Sequence, residues 1–504
     1  MILHLRLIAA VAALVLLAGA AAGQPYETPG IGVQWDLDAL VANSAGAVTG
    51  AAGQYTLHRT VIVSPADAIT IAPGSEITVV ADPEVGLDVA GTLVASGTAD
   101  QRIVFRGADP TPGSWRGIDA LSGAERLYLE HAEIAHAVDA VDAFEADIEL
   151  FEVEIHHALE KAIDITAADG VVVGCHLHHN QQRTISLTLS ASPTIESCLF
   201  EHNNEENGSP YPYINIGLQG VNSPIIRGNT IRGSGNFMSG GIAIWNASNA
   251  QIESNLVEGC GYGILCYQTG ASPTIHDNVI RDNTIHPDTV NWGFGVACNG
   301  DNAPILTENT ISGHWYGVAA INGGRPNLGD LVNDFPGDDG GNVLVDNGLG
   351  GSCYAFFNNT PLDQMAQGNA WGGDTADEVE DCIQHQVDDP SLGLVNFDDW
   401  LAVSAGPGSM APAVITDVAA HPNPFNPRVR IAYTLVRATE VALTIHDVRG
   451  RLVRTLGGER QAAGSHERTW DGTDRAGRAV PSGTYHYRLL AGGESRTGKL
   501  VLVR

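Results

Sequence analysis

The sequence predicts an all-β protein in which a long parallel β-helix, a solenoid of stacked coils, precedes a small Ig-like β-sandwich. Three observations predict this class. A short apolar motif recurs through the middle of the chain at intervals of one coil. The 59 glycines, with only 6% aromatic residues, indicate many turns around a lightly built core. The charge changes sign near residue 415, which indicates a second module.

The recurring motif has an aliphatic residue, two variable residues, an asparagine, one variable residue and a final apolar residue. Its copies lie at 193–200, 224–231, 250–257, 273–280 and 304–311. The asparagine column runs Cys198, Asn229, Asn255, Asn278 and Asn309, with spacings of 31, 26, 23 and 31 residues. Units of this length are typical of β-helix coils, and stacked amides can hydrogen-bond along the axis.

A second strand is predicted in each coil, because apolar residues alternate with small or polar ones. These strands are expected at 185–187, 216–218, 242–244, 264–266, 296–298 and 318–320. A β-sandwich or a propeller would instead show evenly spaced hairpins. The irregular insertions at fixed places in this repeat favour the solenoid.

The N-terminus is typical of a secretory signal peptide over residues 1–23. Arg6 supplies the positive charge, an apolar run follows from Leu7 to Leu17, and small residues precede a predicted cleavage before Gln24. No later stretch is apolar and long enough to span a bilayer. The mature chain is therefore expected to be secreted or attached to the cell surface, exported through the periplasm.

The net charge of −32, from 26 basic and 58 acidic residues, excludes a nucleic-acid binder and a surface held to anionic lipid. Residues 415–504 carry 14 basic and 8 acidic residues, so the rest of the chain has a net charge of −38. A stretch of small residues with Gly and Pro at 402–414 is typical of a linker. The predicted order is a β-helix over 24–401, the linker, and an Ig-like domain over 415–504.

The long module resembles the right-handed parallel β-helix proteins of the pectate-lyase-like superfamily. The resemblance covers about residues 31–401 and is carried by an entry with Gly-Ser-Trp-Arg-Gly-Ile at 113–118 and an exit with Gly-Asn-Ala-Trp-Gly-Gly at 368–373. It implies a right-handed coil. The module looks especially like secreted bacterial members without an assigned activity, so the resemblance implies no particular reaction.

The short module closely resembles the C-terminal sorting domain of type IX secretion cargo and the related Ig-like domain of flagellar hook-capping proteins. The matching segments are Pro-Asn-Pro-Phe-Asn-Pro at 422–427, Asp-Val-Arg-Gly at 447–450, Trp-Asp-Gly at 470–472 and Ser-Gly-Thr-Tyr at 482–485. The resemblance implies a partner, an outer-membrane export machinery that reads residues 415–504. A plain structural Ig-like module is the alternative.

Polysaccharide lyases on this scaffold use calcium-binding carboxylates beside a lysine or arginine base. The candidate catalytic residues here are Glu160, Lys161, Asp164 and Arg183. Lys161 and Arg183 each precede an inward aliphatic residue by four positions, so they are expected to share a column. Two carboxylates do not make a calcium site, so no cofactor is predicted, with calcium expected only if the protein is a lyase. A solvated charged edge is the alternative.

Histidines cluster between residues 156 and 202. His156, His179 and His202 are spaced by 23 residues, about one coil, so three imidazoles could meet a zinc ion. The apolar register from Phe151 to Cys175 is 24 residues, which would displace His156 from that column. Solvated turns are the alternative explanation.

Aromatic residues indicate a glycan platform. Tyr262, Phe294 and Tyr316 each lie four positions before an inward residue, in the column of Lys161 and Arg183. A column that tolerates charge predicts an exposed ladder, and flat rings stack on sugar faces. The other members of the expected platform are Trp245, Tyr267, Trp292 and Trp315. An internal stack that stabilises the coils is the alternative.

The seven cysteines are an odd number, so at least one thiol is free or intermolecular. Cys175 with Cys198, and Cys266 with Cys298, occupy equivalent positions of neighbouring coils, where in-register stacking does not suit a disulfide. Cys353 and Cys382 are the expected bridge.

Together these features predict a secreted or cell-surface protein that binds a polysaccharide or surface glycan, or acts as an adhesin. A lyase or glycoside hydrolase on the same scaffold is one alternative, and a structural envelope protein without a ligand is another.

Overall fold

The computed structural model describes residues 23–217, 219–401, 415–423, 425–435, 439–447, 452–475, 477–491 and 494–504. The chain divides into two compact units, one up to Val403 and one from Ser404 onward. The predicted linker and all but the last residue of the predicted signal peptide lie outside the described residues. No helix in the described ranges is long and apolar enough to cross a membrane.

The first unit is the predicted parallel β-helix. Its coils each contribute one strand to three long sheets of 14, 13 and 11 strands, here called sheet 1, sheet 2 and sheet 3. Along the chain the strands follow the order sheet 3, sheet 2, sheet 1, and strands of successive coils pair in parallel. The exception in these sheets is the first pair of sheet 2, Val48–Ala51 with Gln54–Leu57, which is antiparallel. The coil is 22 residues long where no loop is inserted, as in the pairing of Phe151 with Val173.

Sheet 1 contains Tyr26–Glu27, Val61–Val63, Leu87–Val89, Ile118–Ala120, Asp139–Phe144, Lys161–Thr166, Arg183–Thr188, Pro212–Ile216, Gly240–Trp245, Ile264–Tyr267, Phe294–Asn299, Tyr316–Ile321, Phe356–Asn359 and Ile383–Gln384. Sheet 2 contains Val48–Ala51, Gln54–Leu57, Glu76–Val79, Ile103–Gly107, Ala132–Ala135, Glu154–His156, His176–His178, Leu199–Glu201, Thr230–Arg232, Leu256–Glu258, Val279–Arg281, Thr310–Ser312 and Val343–Val345. Sheet 3 contains Gln34–Trp35, Ala68–Ile71, Thr92–Ser96, Arg126–Glu130, Ile148–Phe151, Gly170–Val173, Thr194–Glu196, Ile225–Arg227, Gln251–Glu253, Thr274–His276 and Ile305–Thr307.

Short elements complete the two ends of this unit. The helix Leu37–Asn43 begins at an Asp36 cap and buries Leu37 and Leu40 in the core. Near the other end lie the helix Ala376–Glu380, the 3-10 turn Pro336–Asp338, and two small sheets, Gly348–Leu349 with Ser352–Cys353 and Gln364–Met365 with Val395–Asn396.

Most of the predicted strands of sheet 1 are confirmed, but one register was wrong. The segment 216–218 was expected to be a strand, whereas the strand is Pro212–Ile216, with Ile214 opposite Ile185 and Ile216 opposite Leu187. The chain alternates apolar and small residues from 212 onward, so the local pattern allows both registers. Pairing with the neighbouring coils selects the earlier one.

The asparagine column forms the predicted ladder. Each side-chain amide donates to the Oδ1 of the next asparagine at 2.8–3.0 Å, and that same Oδ1 accepts the backbone N–H of the preceding asparagine. Cys198 begins the column through its N–H. The column continues beyond the predicted members to Asn342 and Asn369, the latter in the exit motif. These asparagines are buried, so their side-chain amides cannot bond to water. The ladder supplies the hydrogen-bond partners that buried amides need.

A second polar ladder lies in the turn between sheets 2 and 1. The Nδ2 of Asn283 donates to Nε2 of His314 at 3.2 Å, and the ring of His314 donates from Nδ1 to Oδ1 of Asn347 at 3.0 Å. Burial lowers the pKa of His314 to about 4, so this imidazole is neutral and serves as an amide substitute.

The cysteine predictions are confirmed. Cys353 and Cys382 form a disulfide that closes a 29-residue separation at the end of the β-helix. Five further cysteines are buried free thiols. Cys266 and Cys298 are register partners in sheet 1, which is the stacked arrangement the spacing predicts.

The second unit is an antiparallel two-sheet sandwich. One sheet contains Ile415–His421, Val429–Leu435 and Gly464–Trp470; the other contains Leu452–Gln461, Thr439–Asp447, Gly483–Ala491 and Glu494–Leu502. Its core holds Trp470 against Phe425 and Tyr485, at ring-centroid distances of 5.5 and 4.9 Å. The Ig-like prediction is therefore confirmed, with one additional strand at its start.

Candidate functional site

The outer face of sheet 1 carries an acidic ladder. Asp88, Asp119, Asp142 and Asp164 are register partners on four successive strands, because each stands at the same outward position between two inward apolar residues. Strands in a sheet lie about 4.8 Å apart, so these carboxylates are forced into proximity. Sequence analysis singled out Asp164 alone. The ladder becomes visible only when the coil register is known.

Two cations neutralise most of this ladder. Arg116 forms ion pairs with Asp88 and, at 2.9 Å, with Asp119. Lys161 binds Asp164 at 2.8 Å and Asp139 at 3.3 Å. Asp139 is the register partner of Lys161, one strand away. Lys161 and Arg183 share a column as predicted.

Asp142 is the member of the ladder without a cation. Within the described part of the chain the structure gives its carboxyl neither an ion pair nor a hydrogen bond. Partial burial, together with the charges of Asp164 and Asp119, raises its pKa from 3.8 to about 6. A half-buried carboxyl that holds a proton near neutral pH is typical of a general acid.

This raised pKa predicts a pH-dependent stability effect. The folded chain retains the Asp142 proton at pH values where the unfolded chain has lost it. The contribution of the protonated Asp142 to the free energy of unfolding is thus fully present below pH 3.8 and is lost as the pH rises through about 6. Asp142→Asn should therefore raise the melting temperature above about pH 7 and leave it unchanged near pH 4. Melting curves across this range test it. Asp164→Asn is the matched control and should lower the melting temperature at neutral pH, because Lys161 then loses its closer partner.

The remaining candidates for lyase chemistry do not assemble into a lyase site. Glu160 is exposed, and Arg183 stacks over the ring of Tyr211 at 4.5 Å. Burial lowers the pKa of Lys161, but hydrogen bonds and ion pairs with Asp164 and Asp139 outweigh burial and raise it, so the ammonium stays protonated and is a poor base. Three of the four ladder carboxylates are already ion-paired with Arg116 or Lys161, which disfavours a calcium ion bound by the ladder.

The aromatic column is mostly internal. Tyr262 and Phe294 are only 6% and 5% exposed, so the expectation of an exposed ladder was wrong for these two rings. The Tyr262 ring packs against Trp292 at 5.5 Å, and Trp292 stacks on His286 at 4.1 Å, so an inserted loop covers the column. The alternation of apolar and polar residues that predicts strands does not predict where an inserted loop packs.

The other members of the expected platform differ in exposure. Trp315 packs against the Cα of Gly293, where a Cβ would lie 2.1 Å from the indole. Tyr316 is half-buried between Phe294, at 5.3 Å, and Tyr354, at 5.3 Å. These rings form a stack along sheet 1. An internal stack of this kind was the alternative that the sequence analysis gave to an exposed platform.

A second outward column of sheet 1 does present exposed rings. It runs, in register, through Phe144, Thr166, Thr188, Trp245 and Tyr267, with Gly217 between Thr188 and Trp245. Phe144 is 47% and Tyr267 is 37% exposed. The threonine hydroxyls are 2.8 Å apart, and the Trp245 and Tyr267 rings meet edge to face at 4.9 Å. We call this set the ring column. Phe144 was missed because an isolated outward phenylalanine carries no periodic signal.

The histidines lie on the outer edge of sheet 2 and in the turn after it. The three predicted metal ligands do not share a column: His156 stacks on His178, whereas His157, His179 and His202 form the next column. The prediction erred by one residue, because the coil here is 22 and not 23 residues. Carboxylates line the same edge, with Glu154 3.0 Å from His178 and Glu133 3.4 Å from His156.

Two protein-family models match parts of the chain, one in each unit. Residues 212–330 match the family model described as right-handed β-helix region, and residues 428–494 match the one described as FlgD Ig-like domain. The first unit is a right-handed parallel β-helix. The resemblance of the second unit to the hook-capping Ig-like domain is thereby confirmed.

The solved structures similar to the chain cover between a sixth and about two thirds of it in the three examples that follow. Dimeric latent PorU from Porphyromonas gingivalis is 26% identical over 17% of this chain and 9% of its own, with a TM-score of 0.16. An alginate lyase from Paenibacillus sp. str. FPU-7 is 14% identical over 60% of this chain and 98% of its own, with a TM-score of 0.36. The pectate lyase Pel9A is 14% identical over 69% of this chain and 74% of its own, with a TM-score of 0.27. No curated protein matches the chain.

Proposed function

We propose that this protein binds an extended polysaccharide along the outer face of sheet 1. The observation that carries the proposal is the ring column, in which rings and hydroxyls lie in register on the outer face of sheet 1, interrupted at Gly217. A straight row of this kind suits a linear chain of sugars. The rings offer flat apolar surface to the sugar faces, and Thr166 and Thr188 offer hydrogen bonds.

The acidic ladder runs parallel to the ring column on the same strands. Asp142 and Phe144 belong to one strand and are two residues apart, as are Asp164 and Thr166. Both side chains of each pair therefore point to the same face of the sheet. A glycan lying on the ring column would place its hydroxyls beside carboxyl oxygens, which accept hydrogen bonds from sugars.

Ring truncation tests this proposal. The purified chain is screened against a polysaccharide panel, and the best ligand is titrated into Trp245→Ala and Tyr267→Ala variants. Stacking on an aromatic ring is worth about 1–3 kcal/mol by analogy with nucleobases, so each variant should bind about tenfold more weakly, since 1.4 kcal/mol is a factor of ten. Phe335→Ala, which removes an exposed ring outside this column, is the control. Equal affinity of all three variants would refute the proposed surface.

Glycoside hydrolysis is the second candidate function, and the raised pKa of Asp142 favours it. A protonated Asp142 beside the ion-paired Asp164 supplies an acid and a carboxylate that are register partners on neighbouring strands, whose backbones lie about 4.8 Å apart. Retaining glycosidases hold their two carboxyl groups about 5–5.5 Å apart. If the bound glycan is cleaved, Asp142→Asn should reduce the release of new reducing ends by at least about 100-fold. Asp88→Asn, at the end of the ladder, should have little effect.

The C-terminal unit is proposed to direct export to the cell surface. The FlgD Ig-like match and the sequence resemblance of residues 415–504 to type IX sorting domains support this role. Deletion of 415–504 should leave a folded β-helix in the periplasm, detected by cell fractionation. Unchanged surface delivery of the truncated chain would contradict the role.

A further inference from the structure

We propose that His136, His156 and His157 bind a divalent transition-metal ion, with Zn²⁺ as the ion to test first. This site lies at the edge of sheet 2 and is separate from the polysaccharide surface on sheet 1. One ring nitrogen from each of the three histidines lies within 4.8 Å of the other two. Three imidazoles and a water are an established donor set for zinc.

The geometry needs only a small adjustment to bind the ion. Ligand nitrogens about 2.1 Å from a tetrahedral ion lie about 3.4 Å apart. The Nδ1 atoms of His156 and His157 are 2.7 Å apart, within hydrogen-bond distance, so these two rings would separate by about 0.7 Å to bind the ion. The nitrogen of His136 lies within 4.8 Å of both, and rotation of the rings about their side-chain bonds would bring the three nitrogens to the required spacing.

A buried ring nitrogen of His136 supports the same position for the ion. Nδ1 of His136 is buried and, among the residues that the structure describes, has no hydrogen-bond partner. A buried polar atom that is left unpaired costs about 1–3 kcal/mol. The rings of His156 and His157 are its neighbours, at centroid distances of 5.9 and 5.6 Å. A metal ion bound among the three rings would give this nitrogen a partner.

The backbone preorganises the three rings. His136 and His157 occupy equivalent turn positions of successive coils and both have a left-handed conformation, with φ values of 65° and 56°. His156 ends a sheet 2 strand whose register is fixed by pairing with Ala135. Glu133 lies 3.4 Å from Nε2 of His156. When Nδ1 of His156 binds the metal, this carboxylate orients the ring from behind, as in many zinc sites.

The other histidines on this edge suit a metal less well. His157, His179 and His202 are stacked almost parallel at 5.6 and 5.1 Å, so their nitrogens run side by side and do not converge. Glu154, His176 and His178 form a second group of converging atoms. In that group Glu154 is already neutralised by Arg102, so its oxygens attract a cation less strongly.

Zinc titration of the full chain without a polyhistidine tag tests the proposal. Asparagine tolerates a left-handed backbone, so His136→Asn and His157→Asn remove ligands without backbone strain. The unmodified chain should bind one Zn²⁺ tightly by calorimetry, and each variant should bind it at least 10-fold to 100-fold more weakly. His202→Asn, which has the same backbone conformation with φ 50°, is the matched control and should bind normally.

Two further measurements separate the possible outcomes. Electron paramagnetic resonance of the unmodified chain loaded with Cu²⁺ should show three coupled nitrogens, and this requires no variant to fold. His178→Gln should leave Zn²⁺ binding intact. Loss of binding in His178→Gln with retention in His136→Asn would move the ion to the second group and overturn the assignment, as would the absence of any stoichiometric binding.

Discussion

Replacing Asn278 with alanine is expected to lower the free energy of unfolding by about 3–5 kcal/mol. Its Oδ1 accepts both the backbone N–H and the side-chain amide of Asn255, each at 3.0 Å. Its Nδ2 donates to Asn309 at 2.9 Å and to the carbonyl of Ile252 at 2.9 Å. The substitution leaves several buried groups unpaired, each costing about 1–3 kcal/mol, and water cannot enter freely to replace them.

Chemical denaturation followed by circular dichroism measures this effect. Asn291→Ala is the matched control, because Asn291 is exposed and donates only to Asp288 on the same loop. Its expected effect is within about 0.5 kcal/mol. Similar denaturation midpoints for the two variants would contradict the prediction. They would show that the hydrogen bonds of the asparagine ladder add little to the stability of the coil.

Replacing Tyr262 with alanine is expected to cost about 3–5 kcal/mol of stability, through lost burial and an unfilled cavity. The ring lies directly over the backbone of Gly240, where a Cβ would stand 2.0 Å from Cζ, and it supports Trp292 from below. Its removal withdraws contacts from both the coil and the covering loop. The affinity of the folded variant for a glycan should stay unchanged, because the ring faces no solvent.

Tyr267→Ala provides the comparison for this prediction. Tyr267 lies in the ring column and is far more exposed, so its removal should lower the melting temperature little and weaken glycan binding. One melting curve and one binding curve for each variant therefore distinguish the two roles. Weak glycan binding by a stable Tyr262→Ala variant would place the ligand on the covered column and not on the ring column.

The coil architecture could be predicted from sequence because the inward residues of every coil must be apolar or have a hydrogen-bond partner. Asn229, Asn255, Asn278 and Asn309 must each meet a partner one coil away, so they recur beside the same apolar neighbours. The disulfide between Cys353 and Cys382 and the strands of the C-terminal unit followed from equally local patterns.

The outward face carries no comparable constraint, and for this reason the candidate sites needed the tertiary structure. Asp119 and Asp142 are 23 residues apart in the sequence yet adjacent in sheet 1. His136 joins His156 and His157 only because the coil register aligns them, and an error of one residue placed His156 in the wrong column. The covering of Tyr262 depends on an inserted loop.

The coil, its asparagine column and the change of module near residue 415 were therefore readable from the sequence, since burial selects residues at a regular spacing. The neighbours of a surface residue, by contrast, became known from the folded chain. Strand pairing brings side chains about 4.8 Å apart regardless of their type, so strand register and inserted loops set which residues cluster on the surface.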